Sequence, residues 1–340
     1  MNPEQRHQIA LSLISGIGPI LSKQLINHFG STEEVFKAST GKVSKINGFG
    51  NKLSALLSNE ETLLKQADIV IEQSIKSGIS IHCYKDDSYP KRLLHAPDSP
   101  IILYSKGNVV LNPKKTIGVV GTRKATNYGL STTDAIVNEA KSNEPTIVSG
   151  LAYGIDVRAH EAALAEDLPT IAVLACGLDA VYPAGNRATA KKMLTNGGLV
   201  SEYPIGTKAD PRHFPARNRI IAGLSDALIV VEAAKKGGAL ITGNIAHSYE
   251  RPVFAVPGQL DKSNSEGCNQ LIRNFKASIY TGFRDVVESL NWDIETEQKV
   301  QLLEKQLEKL TGREKKVVDT LLANGQQMTL DDLSWQSQIP

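Results

Sequence analysis

No stretch of the 340 residues approaches the 18 or more consecutive apolar positions of a membrane-spanning helix, and Met1 to Ala10 is polar without a signal-peptide core. Both absences make the cytoplasm the expected location. Cysteine is scarce: Cys83, Cys176 and Cys268 are odd in number, far apart and without a C-x-x-C pair, which leaves a disulfide framework and a thiolate zinc site unsupported. Net charge is small too, at 38 Lys plus Arg against 36 Asp plus Glu, so a nucleic-acid surface has to come from local clustering. Charged residues at 22% and apolar ones at 41% are ordinary globular usage and argue against disorder, a collagen-like repeat or a coiled coil. At roughly 100 to 200 residues per domain, the length predicts several domains.

A short echo opens the chain. Ile14-Ser15-Gly16-Ile17-Gly18-Pro19 and Ile46-Asn47-Gly48-Phe49-Gly50-Asn51 each precede a helical apolar pattern. Two glycines flanking one apolar residue make a tight turn between helices, so residues 1–75 read as a helical head with two helix-hairpin-helix (SAM-like) turns. Such hairpins can hold a phosphate on backbone N–H groups, with Lys23, Lys42, Lys45 and Lys52 close by, or can simply pack as a small bundle.

Residues 76–290 read as a Rossmann-like α/β domain. Two strands, Ile79 to Tyr84 and Ile101 to Tyr104, bridge from the head, and from Thr116 onward seven short apolar runs alternate with helical segments. Near-continuous Val, Ile and Leu in those runs implies strands covered on both faces, hence a doubly wound, mostly parallel sheet whose ligands sit beyond the strand ends. A linker helix is expected at 291–312 and a further helical segment at 313–340.

The residues just after the strands carry the functional expectation. Gly121-Thr122-Arg123-Lys124 follows the first run, and Ser149-Gly150-Leu151-Ala152-Tyr153-Gly154 the second. Glycine turns feeding helices expose amides to anions, and Arg123 can grip a phosphate with a two-pronged fork. Neither turn matches G-x-G-x-x-G or the P-loop, so no dinucleotide, ATP or other cofactor is expected. Lys208 to Arg219 holds four cations against one acid, together with His213 and Phe214, as needed to track a backbone while stacking a base. Arg217 and Arg219 are two apart and point different ways, so one is expected to meet DNA and the other to be structural. Lys235 to Gly243 adds a third glycine turn. Asp156 and His160 share a helix face, but an anchored turn explains them more simply than acid–base chemistry does. Cys176 has no activating His nearby in sequence. Neither catalytic residues nor metal ligands emerge.

Gly121-Thr122-Arg123, Ser149-Gly150-Leu151-Ala152 with Gly154-Ile155-Asp156 and Ala159-His160, Tyr182-Pro183 with Asn186-Arg187, and Ser201-Glu202-Tyr203-Pro204 occur in order. They are followed by His213-Phe214-Pro215, Arg217-Asn218-Arg219-Ile220-Ile221-Ala222-Gly223-Leu224-Ser225 and Phe254-Ala255-Val256-Pro257-Gly258. Together they resemble the DNA-processing protein A family (DprA/Smf). The resemblance implies a sequence-independent single-stranded-DNA binder of natural transformation. Such a protein protects incoming strands, loads RecA recombinase past single-strand-binding protein and works as a homodimer, without being an enzyme. It also implies that 313–340 is an incomplete winged-helix-like segment. The DNA-binding residues expected are Gly121, Thr122, Arg123, Lys124, Ser149, Gly150, Gly154, Phe214, Arg217, Asn218, Arg219, Lys236, Gly238 and Thr242. Tyr153 stands where many relatives have Arg, and its ring is available to stack. Two other readings stay open: a nucleotide-phosphate hydrolase, because Gly237 to Thr242 loosely resembles the glycine turn of cytokinin-activating phosphoribohydrolases, and a recombinase-recruiting scaffold.

Overall fold

The structure is a computed structural model that describes residues 2–293, 310, 312–323 and 330–339. The head comprises α1 (Pro3–Ser12), α2 (Pro19–Phe29), α3 (Thr32–Lys37), α4 (Thr40–Val43), α5 (Asn51–Leu56) and α6 (Glu60–Lys76). Then follow β1 (Ser80–Cys83), α7 (Lys91–Leu94), β2 (Ile102–Gly107), β3 (Thr116–Val120), α8 (Asn127–Ala140), β4 (Thr146–Ser149) and α9 (Ile155–Ala165). The chain continues through β5 (Thr170–Leu174), α10 (Arg187–Met193), β6 (Gly197–Ser201), α11 (His213–Leu224), β7 (Ala227–Val230) and α12 (Gly238–Ser248). It ends this body with β8 (Val253–Ala255), α13 (Glu266–Arg273), β9 (Ser278–Ile279) and α14 (Phe283–Ser289).

Both glycine turns of the head adopt the backbone that glycine favours, with φ of 91° at Gly16 and 90° at Gly48. They also face each other's helices: a Cβ on Gly16 would lie 3.1 Å from Leu53 in α5, and one on Gly48 would lie 2.9 Å from Leu21 in α2. Each hairpin thus covers the other. Lys23, read as a phosphate contact, is instead 8% exposed and donates to the Ala96 carbonyl at 3.0 Å and to Ser99 Oγ at 2.5 Å. Those acceptors belong to the loop before β2, so Lys23 fastens the head to the sheet. Burial holds its pKa down to about 8.

Nine strands form one sheet in the order β1-β2-β6-β5-β4-β3-β7-β8-β9. Every pairing from β6 through β9 is parallel, and β2 joins antiparallel to β6 and to β1. The first two strands therefore extend the same sheet rather than only bridging to it. Alternation along β5 feeds both faces: Ala172 and Leu174 pack into one core cluster, Ile171 and Val173 into the other, against α11 residues such as Ile220 and Leu224. The first cluster runs on into the head through Ile9, Leu25 and Phe49. Residues Met1–Val286 consequently form one compact unit. Leu271 and Val286, on the helices after β8, are core residues at 1% and 0% exposure.

Strand order reverses between β3 and β7, because the chain winds outward from β3 to β6 and then returns to β7 on the other side. The crevice beyond the carboxyl ends of these two strands is the place such sheets hold ligands. The second unit, Val287–Pro340, is described through the helices Gly312–Ala323 and Leu330–Ser337, and the linker helix expected at 291–312 lies mostly outside the described residues.

Candidate nucleic-acid interface

A cleft of about 550 Å³ opens where the strand order reverses. Its walls are Val120 to Arg123 after β3, Pro211 to Asn218 at the start of α11, Ala233 to Thr242 around the start of α12, and Tyr182. Arg123 is exposed and its guanidinium lies 5.4 Å from the centre of the Phe214 ring. The Tyr182 ring, half exposed, sits 5.5 Å from Phe214 on a tilt. A cation, a ring and a second ring thus meet at one opening, the combination that attracts a phosphate backbone and gives bases something to stack on. An aromatic next to a proline, Tyr182 carries no sequence signal of facing Phe214 from 32 residues away.

Beneath the opening, buried polar groups fix its shape. Arg217 is 4% exposed and donates through Nη1 to the carbonyls of Gly150 and Val173, each at 2.5 Å, and through Nε to Asn218 Oδ1 at 3.1 Å. A Cβ on Gly150 would lie 2.2 Å from that Nη1, so only glycine leaves room for the guanidinium. Asp156 is 6% exposed, and the amides of Gly121, Ala152 and Gly150 donate to it. Burial pushes its carboxyl up while nearby Arg217 pulls it down. Gly154, at φ 77°, starts α9 hard against the Thr122 and Arg123 carbonyls.

These facts revise the anion cradle read from the glycine turns. The Gly121 and Gly150 amides point inward at the protein's own carboxylate, and Ser149 is fully buried, donating to the Val119 carbonyl at 2.6 Å. Arg217 lines the cleft, but its guanidinium is taken up by carbonyls. Arg219 leaves the cleft altogether: it pairs with Glu202, both side chains being 11% exposed, and lies 3.9 Å from Asp98. The expectation that one of these two arginines meets DNA therefore finds neither guanidinium free at the opening. Of the other expected residues, Thr122, Arg123, Phe214, Asn218, Gly238 and Thr242 line the cleft. Asn218 and Thr242 both donate to the Gly238 carbonyl, at 3.4 and 3.2 Å, and so brace the first turn of α12. That helix has eleven residues; the Leu240 amide closes onto the Gly237 carbonyl at 3.2 Å, and the positive end of the helix dipole faces the cleft wall. Lys124 and Lys236 are exposed beside the lining residues Arg123 and Gly237. Tyr153 is half exposed on the loop before α9.

His160 does not meet Asp156. It is fully buried, with Nδ1 2.7 Å from the Thr170 hydroxyl. Thr170 in turn donates to the Ile147 carbonyl at 3.0 Å, so the imidazole Nδ1–H is the donor of the pair. The buried thiol of Cys176 is pushed up, chiefly by desolvation, away from nucleophilic use. Among the described residues, no group of His, Cys, Asp and Glu could hold a metal ion, and no helix is long and apolar enough to cross a membrane.

Comparison with known proteins bears directly on this geometry. Residues 80–291 match the family described as DNA recombination-mediator protein A. Protein Smf of Synechocystis is 38% identical over 277 residues, spanning 80% of this chain and 69% of that protein. The X-ray structure of DNA processing protein A from Streptococcus pneumoniae superposes with a TM-score of 0.68 at 29% identity, covering 85% of this chain and 98% of that one. DNA processing protein A from Helicobacter pylori, described for its single-stranded-DNA binding mode, superposes with a TM-score of 0.57 at 30% identity, covering 63% and 96%.

Proposed function

The chain belongs to the DNA recombination-mediator protein A family, and from that membership we propose that it binds single-stranded DNA without regard to sequence, the strand running through the cleft between β3 and β7. The observation that carries the reading is the Arg123–Phe214–Tyr182 group at the mouth of the cleft. Phosphate is drawn to Arg123, Lys124, Lys236 and the first turn of α12, while bases stack on the rings. A paired duplex keeps its bases turned inward and gains only the phosphate part. In this reading the protein shields incoming strands and hands them to RecA recombinase in competition with single-strand-binding protein, acting as a homodimer in the cytoplasm during natural transformation.

The cleft works as a binder and not as a hydrolase. Asp156, the carboxylate among its described lining residues, is buried beneath three amides and beside Arg217, and Thr242 spends its hydroxyl on its own helix. Fluorescence anisotropy tests the assignment. Labelled oligothymidine binds more tightly than duplex, and Arg123→Ala weakens it on every sequence while flattening the slope of log K against log salt by about 0.7 to 1 unit. Equal affinity for single strand and duplex, or an unchanged slope, defeats the proposal. Accelerated RecA filament formation on strands coated with single-strand-binding protein tests the loading step.

A further inference from the structure

A second cavity, of about 770 Å³, has no lining residue in common with the cleft but is built on the next residues of two of the segments that line it. Where the cleft takes Arg123 and Ala233, this cavity takes Thr126 to Tyr128 and Glu232, and closes with the Pro257 to Ser265 loop. Asn264 ties that loop to the cleft side by donating to the Lys124 carbonyl at 3.2 Å. The size lies within the roughly 300–1,000 Å³ of small-molecule sites.

Its lining chemistry differs from that of the cleft. Glu232 is 4% exposed, and its oxygens accept from Thr126 N at 3.0 Å and Thr126 Oγ1 at 2.6 Å. A carboxylate holding two hydrogen bonds keeps further acceptor capacity, so this wall repels phosphate and welcomes N–H donors. Asn127, Gln259 and Asn264 add amide donors and acceptors, and exposed Lys262, 3.5 Å from Asp261, adds one cation on the closing loop. Tyr128 is half exposed, its ring lines the cavity, and its hydroxyl donates to the Pro257 carbonyl at 3.1 Å at the ring's outer edge. A ring beside amides and a carboxylate suits a nucleobase, whose flat face stacks and whose edge carries N–H donors.

We infer that this cavity takes one base of the strand bound in the cleft, stacked on Tyr128 with its donor edge toward Glu232. The inference rests on the strand path proposed above. Every natural base offers an N–H donor, so the site is tolerant of sequence.

Anisotropy with a short oligothymidine and with the same sugar-phosphate chain made abasic tests it. Tyr128→Ala weakens oligothymidine binding by about five- to a hundredfold, the range for one lost base stack, while Tyr128→Phe, which keeps the ring, stays within about twofold. The salt slope is unchanged in both variants, and the abasic chain binds the wild type and Tyr128→Ala alike. An unaltered oligothymidine affinity in Tyr128→Ala, a flattened salt slope, or an equal loss on the abasic chain overturns the inference. So does Tyr128-dependent binding of a free deoxynucleoside monophosphate with oligothymidine affinity indifferent to Tyr128. If Arg123→Ala still weakens binding while Tyr128→Ala does not, the cavity assignment alone fails; if the wild type shows no preference for single strands, the cleft reading fails instead.

Discussion

Arg217 illustrates how a cation lining the proposed DNA cleft can serve the fold rather than a ligand. Its guanidinium crosses from α11 to the carbonyls after β4 and in β5, beside buried Asp156. Arg217→Ala takes the compensating charge away from Asp156 and leaves both carbonyls without that donor, so it lowers the unfolding free energy by about 1–3 kcal/mol, the cost of buried polar groups left unsatisfied. Urea denaturation measures this; a change within about 0.5 kcal/mol, typical of surface sites, contradicts the assignment. Loss of DNA binding in that variant is then a folding effect, in contrast to Arg123→Ala at the exposed rim. His160 carries the second prediction at this scale. Burial, reinforced by Arg217, holds its pKa down to about 3. In the unfolded chain it titrates near about 6.5. Between these values the unfolded chain binds a proton that the folded chain does not, so the associated stability is full above about pH 6.5 and is lost as pH falls toward 3. The gap in unfolding midpoint between wild type and His160→Gln therefore moves against the wild type over that interval; a gap constant with pH refutes it.

At the scale of elements, sequence reading and structure agree most closely where a pattern is local. All nine strands were legible, those at the centre of the sheet because short Val, Ile and Leu runs leave little alternative. The two head turns were legible because glycine pairs mark them. What escaped depends on distant packing: the Gly121 and Gly150 turns look like anion sites until Asp156 is seen to occupy their amides. Arg217 and Arg219 were correctly separated onto different faces of α11, but the fate of each is set by Gly150, Val173 and Glu202, all outside that helix. The head supplies a prediction of its own. Gly48→Ala forces an alanine to positive φ and drives its Cβ onto Leu21, so it destabilises by about 1 kcal/mol or more. Gly41→Ala, within α4 and facing open space, is neutral or stabilising by up to about 1 kcal/mol. Equal melting temperatures for the two variants contradict the interlocked hairpins.

Across the whole molecule, a net charge of +2 gives little long-range pull on DNA, and the cations of the proposed cleft, Arg123, Lys124 and Lys236, are few and local. The head at 1–75 was legible as helical, yet its fastening by Lys23 was not, since nothing near Lys23 in sequence foreshadows Ala96 and Ser99. The walls of the cleft come from residues 120–123, 211–218 and 233–242 together with Tyr182, segments far apart in sequence that the fold of the sheet brings to one place. An oligonucleotide lodged there acts as a thermodynamic clamp on chain segments that drift apart on melting. Saturation at about a hundred times the dissociation constant adds roughly 2.7 kcal/mol to native-state stability, visible as an upward shift in label-free scanning calorimetry. In the proposed binding mode double-stranded DNA is held by phosphate contacts alone, so it is expected to raise that transition less at equal concentration.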